Sequence, residues 1–282
     1  MFSSAVLAVI ALAGFADASP INPRAVAPCG IKNVMTIVLE NADKAAVLKD
    51  TYFGTTLKQK GYFMNSYNGV THPSQPNYVA MVAGSYYTCT GDSNCDLAKT
   101  SVADLLEAKG FTWKAYNELY PGNCYKSATS GKYARKHNPF MSFTNISGNS
   151  TRCAKIVNSS QLATDAAANN LPNYMFYTPD LNNDGHDTSI AYASNWLKGF
   201  LEPKLTAAVY ANTLFHVVFD ESKTSSPNNI YSLFLGKGIQ AANVVDNTAY
   251  THYSGLRTLE NIFGLGNLGQ KDATATSIPF IC

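Results

Sequence analysis

Charge is what this chain has least of. Only 14% of its residues are Asp, Glu, Lys or Arg, the formal net charge is +2, and the basic residues are scattered, with Lys132, Arg135 and Lys136 the densest group. Nucleic acid, which binds through a concentrated basic face, is therefore excluded as the partner. Past residue 15 no run is long and uncharged enough to supply the roughly 20 residues that cross a bilayer, so no integral membrane segment is expected. The six cysteines include no Cys-x-x-Cys pair and no close Cys/His cluster, which argues against structural zinc. A Gly-x-Ser-x-Gly elbow is also missing, and with it the usual Ser-His-Asp hydrolase. No internal repeat and no linker divides the chain.

What is present begins with an apolar run over residues 6–15 followed by Ala16-Asp17-Ala18, a small-x-small cleavage pattern. Residues 1–18 are read as a secretory signal peptide, although no Lys or Arg precedes the run, and residues 19–282 as a single domain. Export makes the even cysteine count a disulfide framework. Short loops and nearby termini favour Cys89 with Cys95, Cys124 with Cys153, and Cys29 with Cys282. Three sequons, at Asn145, Asn149 and Asn158, predict N-glycans and an exposed segment.

Strand and helix signals alternate along the domain. Extended runs are expected at 34–39, 62–67, 111–116, 174–178, 214–219 and 230–235, and helices at 45–60, 76–82, 102–109, 190–205 and 255–263. Residues 121–160, rich in Gly, Asn and Ser, read as an excursion over the surface. Continuous apolar strands separated by helices predict an α/β fold, a three-layer sandwich with a mostly parallel central sheet.

Ligands of such sheets gather beyond the carboxyl ends of the strands, and the polar clusters fall there. Glu40-Asn41 follows the first strand, Asp180 to Asp187 follows the 174–178 strand, and Asp220-Glu221 follows the 214–219 strand. A single such Asp is more often a cap or a solvated loop residue; three clusters together point to hard oxygen ligands for a divalent cation. Ser74, in Thr71-His72-Pro73-Ser74-Gln75-Pro76-Asn77, has two readings. It is either an ordinary N-cap before a first-turn proline or a nucleophile at a helix start, where free N–H groups favour phosphate. Asn77, in the same turn, is placed to hydrogen-bond a phosphoryl oxygen. Of five histidines, His72, His137, His186 and His252 sit beside polar motifs and suit charge neutralisation, whereas His216 lies within an apolar strand and reads as a core residue or one supporting the site from behind. Oxygen ligands at strand ends with one poised hydroxyl are the components of metal-assisted phosphoryl transfer.

Glu40-Asn41, Ser74-Gln75-Pro76-Asn77, Asn183-Asp184-Gly185-His186-Asp187, Phe219-Asp220-Glu221 and Thr251-His252-Tyr253-Ser254 resemble, in order and spacing, the phosphoesterase family of secreted acid phosphatases and non-specific phospholipases C. That family lies in the alkaline phosphatase superfamily. The resemblance runs from about residue 34 to 265. It implies a divalent metal and a phospho-enzyme, with Ser74 at the nucleophile position and Glu40, Asn41, Ser74, Asp220 and Glu221 at metal positions. It also implies phosphate-contacting histidines at His186 and His252, with Asn77, His137 and Asp184 as further phosphate-binding candidates and Asp187 beside His186. A second cation at Asp184, His186 and His252 is the variant found elsewhere in the superfamily. The phospholipase branch's Glu-Asn-Arg-Ser-Phe-Asp reads Glu40-Asn41-Ala42-Asp43-Lys44 here, and its Gly-Gly after Asp-Glu is replaced by Ser222-Lys223-Thr224-Ser225. These departures favour a phosphatase acting on small phosphomonoesters. Cleavage of diesters or phospholipids at the same site is one alternative, and a secreted binding protein that keeps the fold without catalysis is another.

Overall fold

A computed structural model of the chain describes Met1, residues 28–224 and residues 226–279. The expected signal peptide and Cys282 fall outside the described residues.

Ten strands occur among the described residues: β1 (Asn33–Leu39), β2 (Tyr62–Asn68), β3 (Trp113–Asn117), β4 (Thr129–Ser130), β5 (Tyr133–Ala134), β6 (Ile156–Asn158), β7 (Tyr174–Thr178), β8 (Thr213–Phe219), β9 (Ser232–Gly236) and β10 (Val244–Thr251). Eight form one sheet in the order β10-β2-β9-β8-β1-β7-β3-β6, while β4 and β5 make a separate hairpin. All neighbours in the large sheet are parallel except β9, which runs antiparallel to both β2 and β8. Every residue of β1 and β8 is buried, as strands covered on both faces must be.

Helices Ser74–Ala83, Val102–Ala108 and His252–Phe263 pack together on one face. The long helix Ile190–Thr206 covers the other, setting Phe200 against Tyr177 in a tilted pair at 4.3 Å between centroids, and Phe53 meets Phe219 and Tyr231 on that side. The expected α/β sandwich with a mostly parallel sheet is the observed fold.

Three local expectations need correction. The helix expected over 45–60 is broken into Lys44–Val47, a π-helical turn Tyr52–Leu57 and Lys58–Lys60. Gly54 lies at the break, where a Cβ would sit 2.0 Å from the Leu48 carbonyl oxygen. The edge strand β10 has a single buried residue, Tyr250, and so lacked the apolar run that marked the others.

Residues 121–160 are not a surface excursion throughout. Phe140, Met141, Phe143 and Ile146 are buried, Phe140 stacks on Trp113 at 4.7 Å, and β6 joins the sheet beside β3. The buried Arg135 pairs with Asp96 at 2.6 Å and donates to the carbonyls of Lys126, Cys95 and Met141. Apolar anchors spaced among Asn, Gly and Ser hid this packing from a composition-based reading. Of the three sequons, Asn149 is exposed, whereas the amide nitrogens of Asn145 and Asn158 are committed to Asp104 Oδ1 at 2.9 Å and the Tyr120 carbonyl at 3.1 Å.

Two expected disulfides are present, Cys89–Cys95 and Cys124–Cys153. No helix among the described residues is long and apolar enough to cross a membrane.

Candidate active site

Strand register builds the centre of the site. β1 and β8 are paired so that Leu39 lies opposite Phe219, and the next residues, Glu40 and Asp220, emerge side by side from the carboxyl end of the sheet. The Glu40 amide donates to the Asp184 carbonyl at 3.0 Å, which fastens the loop after β7 to the same place. Asn41 takes a left-handed φ of 34° and its amide donates to Asp220 Oδ1 at 3.1 Å. Three strand ends thus deliver Glu40, Asn41, Asp184, Asp220 and Glu221 to one spot.

Ser74 meets them from above. It is the first residue of its helix; Pro73 holds the N-cap position, and no side chain caps the turn. Instead of folding back on its own helix, the Ser74 hydroxyl lies 3.0 Å from Glu40 Oε2, 3.3 Å from Asn41 Oδ1 and 3.4 Å from Glu221 Oε1. Of the two readings of this serine, the capping one does not describe the geometry.

The carboxyl groups crowd one another. Burial, followed by the charges of Asp220 and Asp184, pushes Glu40 well above the usual carboxylate range; burial and the charge of Glu221 do the same to Asp220. Burial raises Asp184 to about 7, and burial together with Asp92 raises Glu221 to about 7. Buried His137 is pushed well below its ordinary value, by desolvation first and then by the charge of Lys136.

The donors fit a divalent cation. Glu40, His137 and Asp184 could hold a metal ion, their ligand atoms lying within 4.8 Å of one another. Asp184 Oδ2 and Asp220 Oδ2 are buried without a hydrogen-bond partner. The Asn41 amide oxygen faces only acceptors; exchanging it for the nitrogen would instead donate to Glu40 Oε2 at 2.7 Å and Asp220 Oδ1 at 3.2 Å. Oxygens that converge without a proton between them are the arrangement a hard cation stabilises.

Four expected residues sit differently from the roles given to them. His252 is buried, its Nε2 lies 2.6 Å from the Asp220 carbonyl, and its ring meets Tyr67 edge-on at 5.7 Å. Burial lowers it to about 4, so it is a neutral support behind Asp220 and does not face the cavity. Asn77 commits its amide to the preceding loop and to Glu221: Oδ1 accepts from Val70 and Thr71, and Nδ2 donates to the carbonyls of Thr71 and Pro73 and to Glu221 Oε2 at 3.4 Å. That commitment shapes the approach to Ser74 and leaves no free face for phosphate. Asp184 and His137, expected at phosphate, stand with Glu40 in the cation group; His137 lies 3.2 Å from Glu40 Oε1 and 3.4 Å from Asp184 Oδ2, stacked on Tyr78 at 5.0 Å.

His186 does reach open space. It lines a cavity of about 450 Å³ together with His72, Glu40, Asn41, Ile190 and Lys223. Its Nδ1 bonds Asp187 Oδ1 at 2.7 Å. His72, beside the serine in sequence, pairs through Nδ1 with Glu221 Oε2 at 2.7 Å. His216 is core, as expected, stacked on Phe234 at 4.3 Å.

Sequence reasoning missed Tyr78, whose hydroxyl donates to Glu40 Oε1 at 2.5 Å, along with Asp92 and Lys136 at the rim. Tyr78 follows Asn77 directly and could have been found as a polar tip one turn from Ser74. Asp92 and Lys136 come from unrelated loops and carried no signal.

Solved structures define the class by fold. A protein of the alkaline phosphatase superfamily from Vibrio parahaemolyticus superposes with a TM-score of 0.61, at 12% identity, covering 89% of this chain and 72% of that one. Residues 47–266 match the Phosphoesterase family, and the chain belongs to it. It is 32% identical over 270 residues to a phosphatidylinositol-3-phosphatase of Mycobacterium tuberculosis, covering 94% of this chain and 88% of the relative. It is 34% identical over 263 residues to a probable acid phosphatase of Kluyveromyces lactis, covering 89% of this chain but 62% of the relative. The chain spans about three fifths of the length of the acid phosphatases it matches.

Proposed function

We propose that this chain hydrolyses phosphomonoesters through a phosphoserine at Ser74, with a divalent cation bound beside it. The observation that carries the reading is the Ser74 hydroxyl: buried at the first residue of a helix, it turns away from capping toward Glu40, Asn41 and Glu221. The names of its relatives, acid phosphatase and phosphatidylinositol-3-phosphatase, support the same chemistry.

Glu40, Asn41 and Asp220, with Asp184 and His137 on the far side and Glu221 and Ser74 on the near side, are the groups that would hold the cation. Bound there, it supplies Lewis-acid polarisation of the phosphoryl group and neutralises the carboxylates.

The residues of the chain account for the remaining steps. Ser74 Oγ attacks phosphorus as the bond to the leaving alcohol breaks, and its proton has two acceptors in reach, Glu40 Oε2 and Glu221 Oε1. Water in the open cavity gives the departing alkoxide its proton, beside a wall that includes His186 with its Nδ1 held by Asp187. Water then attacks the phosphoserine, returning the serine hydroxyl and releasing inorganic phosphate. Asn77 and His252 serve this chemistry by holding the loop before Ser74 and the main chain behind Asp220.

The working compartment is extracellular on this reading. Residues 1–18 have the pattern of an export signal, two disulfides are formed, and the exposed Asn149 is the sequon best placed for a glycan. A role in binding alone would leave the convergence of Glu40, Asn41 and Glu221 on one hydroxyl without a use.

Replacing Ser74 with Ala is the decisive test. Turnover of p-nitrophenyl phosphate is expected to fall by at least about 1000-fold with the circular dichroism spectrum unchanged. The acid-stable phosphate label trapped on wild-type protein should also disappear. Near-normal turnover by the variant would remove Ser74 as nucleophile. A panel of phosphomonoesters, phosphodiesters and phosphatidylcholine, each with and without chelator, assigns the substrate class and the metal requirement.

A further inference from the structure

Lys136 has no part in the steps above, yet it is built into the rim of the site. Its side chain is only 19% exposed, and its ammonium lies 3.0 Å from Asp92 Oδ2 and 3.3 Å from His186 Nε2. His186 lines the cavity beside Glu40 and Glu221, so the ammonium stands against a residue of the cavity wall. Its charge is felt by Glu40, Asp220 and Glu221.

The element that holds Lys136 is tied to the nucleophile. Asp92 lies in the loop closed by the Cys89–Cys95 disulfide. Gln75, the residue after Ser74, fixes that loop three times: its amide N–H donates to Asp92 Oδ1 at 3.0 Å, and its side-chain nitrogen donates to the carbonyls of Gly91 at 2.8 Å and Ser93 at 2.6 Å. A continuous run of contacts thus leads from the nucleophile's neighbour, through a carboxylate, to one ammonium.

We propose that Lys136 is the residue that selects phosphomonoesters over phosphodiesters, and that Asp92 positions it. The proposal rests on the phosphatase reading of Ser74. A monoester brings close to two negative charges on its terminal oxygens and a diester only one, because its second ester group carries none. The carboxylates around Ser74 repel that extra charge. A fixed ammonium held against His186 offsets it for the monoester and has much less to act on in the diester.

The test uses the full chain, loaded with the divalent cation that best supports the wild type. It compares kcat/KM for p-nitrophenyl phosphate and bis(p-nitrophenyl) phosphate, with calorimetric titration of inorganic phosphate as a readout separate from turnover. Lys136→Met is expected to lose about 100-fold on the monoester, a diester loss about ten times smaller, and about tenfold in phosphate affinity. Asp92→Asn should shift the monoester-to-diester ratio in the same direction by less. Lys136→Arg keeps the charge and should recover most of the ratio, which separates loss of the ammonium from a folding defect. Equal losses on both esters, or an arginine variant as unselective as the methionine one, overturns the assignment of Lys136. An unchanged or increased ratio in Asp92→Asn removes Asp92 from it. A wild type that cleaves neither ester marks failure of the phosphatase reading instead.

Discussion

Two groups of buried carboxyls lie at opposite ends of the same pair of helices, and they resolve their repulsion in different ways. At the starts of Ser74–Ala83 and His252–Phe263 stand Glu40, Asp184, Asp220 and Glu221, with Asp184 Oδ2 and Asp220 Oδ2 unpartnered and a cavity of about 450 Å³ alongside. Toward the other ends stand Glu260 and Asp272. There the Asp272 oxygens accept the main-chain N–H groups of Leu268 at 2.5 Å and Gln270 at 2.9 Å, and Arg257 Nη1 lies 3.5 Å from Glu260 Oε2. Burial and the charge of Asp272 raise Glu260 to about 8, so Glu260 holds a proton through the acid and neutral range. The far pair is offset by main-chain N–H groups and a guanidinium. The site cluster gathers four carboxyls beside a cavity, where a cation would complete it.

The largest effect expected from this contrast is at Asp220. Asp220→Asn should lower kcat/KM for a phosphomonoester by at least about 1000-fold while leaving the metal-free protein no less stable, because a buried like charge has been removed. In the wild type, a divalent cation at a hundred times its Kd should add about 2.7 kcal/mol of stability, and the variant should lose that gain. A wild-type melting temperature indifferent to every divalent cation tested would break the comparison, since the site cluster would then be no different in kind from the far pair.

His252 sharpens the contrast from behind. His252→Phe keeps a ring against Tyr67 but removes the partner of the Asp220 carbonyl. Cation affinity, read by titrating activity with metal, is expected to fall about 10–100-fold, the usual cost of losing a group that orients a ligand. Abolished turnover at saturating metal would instead place His252 in the chemistry.

Glu260→Gln should have the smallest effect on activity and a distinct effect on stability. Glu260 holds its proton to about pH 8 when folded and to about 4.5 when unfolded, so the folded state binds the extra proton between those values. Its stabilisation is complete below pH 4.5 and is lost as pH rises toward 8, a fall of roughly 3–5 kcal/mol. Urea melts at several pH values should show that slope in the wild type and a flatter profile in the variant, with kcat/KM unchanged. An equal slope in both proteins would assign the pH dependence elsewhere.

Much of this site was legible before any coordinates. The apolar runs of β1, β7 and β8 marked buried strands, and the polar residues after each are the ones the fold brings together, because side chains that follow a buried strand have nowhere to go but its carboxyl end. Ser74 carried two readings that sequence could not separate: a cap and a poised hydroxyl are written with the same Ser-x-Pro. Residues 121–160 misled for a different reason, since Asn, Gly and Ser diluted the anchors Phe140, Met141 and Phe143 below the level at which a buried segment is noticed.

The sequence by itself determined the layered α/β fold, the chemistry of the donors and the two shortest disulfides, all of which depend on neighbours along the chain or on the burial of a continuous run. Tertiary structure alone decided which donors share a hydroxyl, that His137 joins the acidic group, that His252 and Asn77 brace main chain, and that Lys136 and Asp92 reach the rim. These outcomes turn on strand register and on how separate segments of the chain approach one another, and a shift of a single residue between β1 and β8 would part Glu40 from Asp220 without changing a letter of either motif.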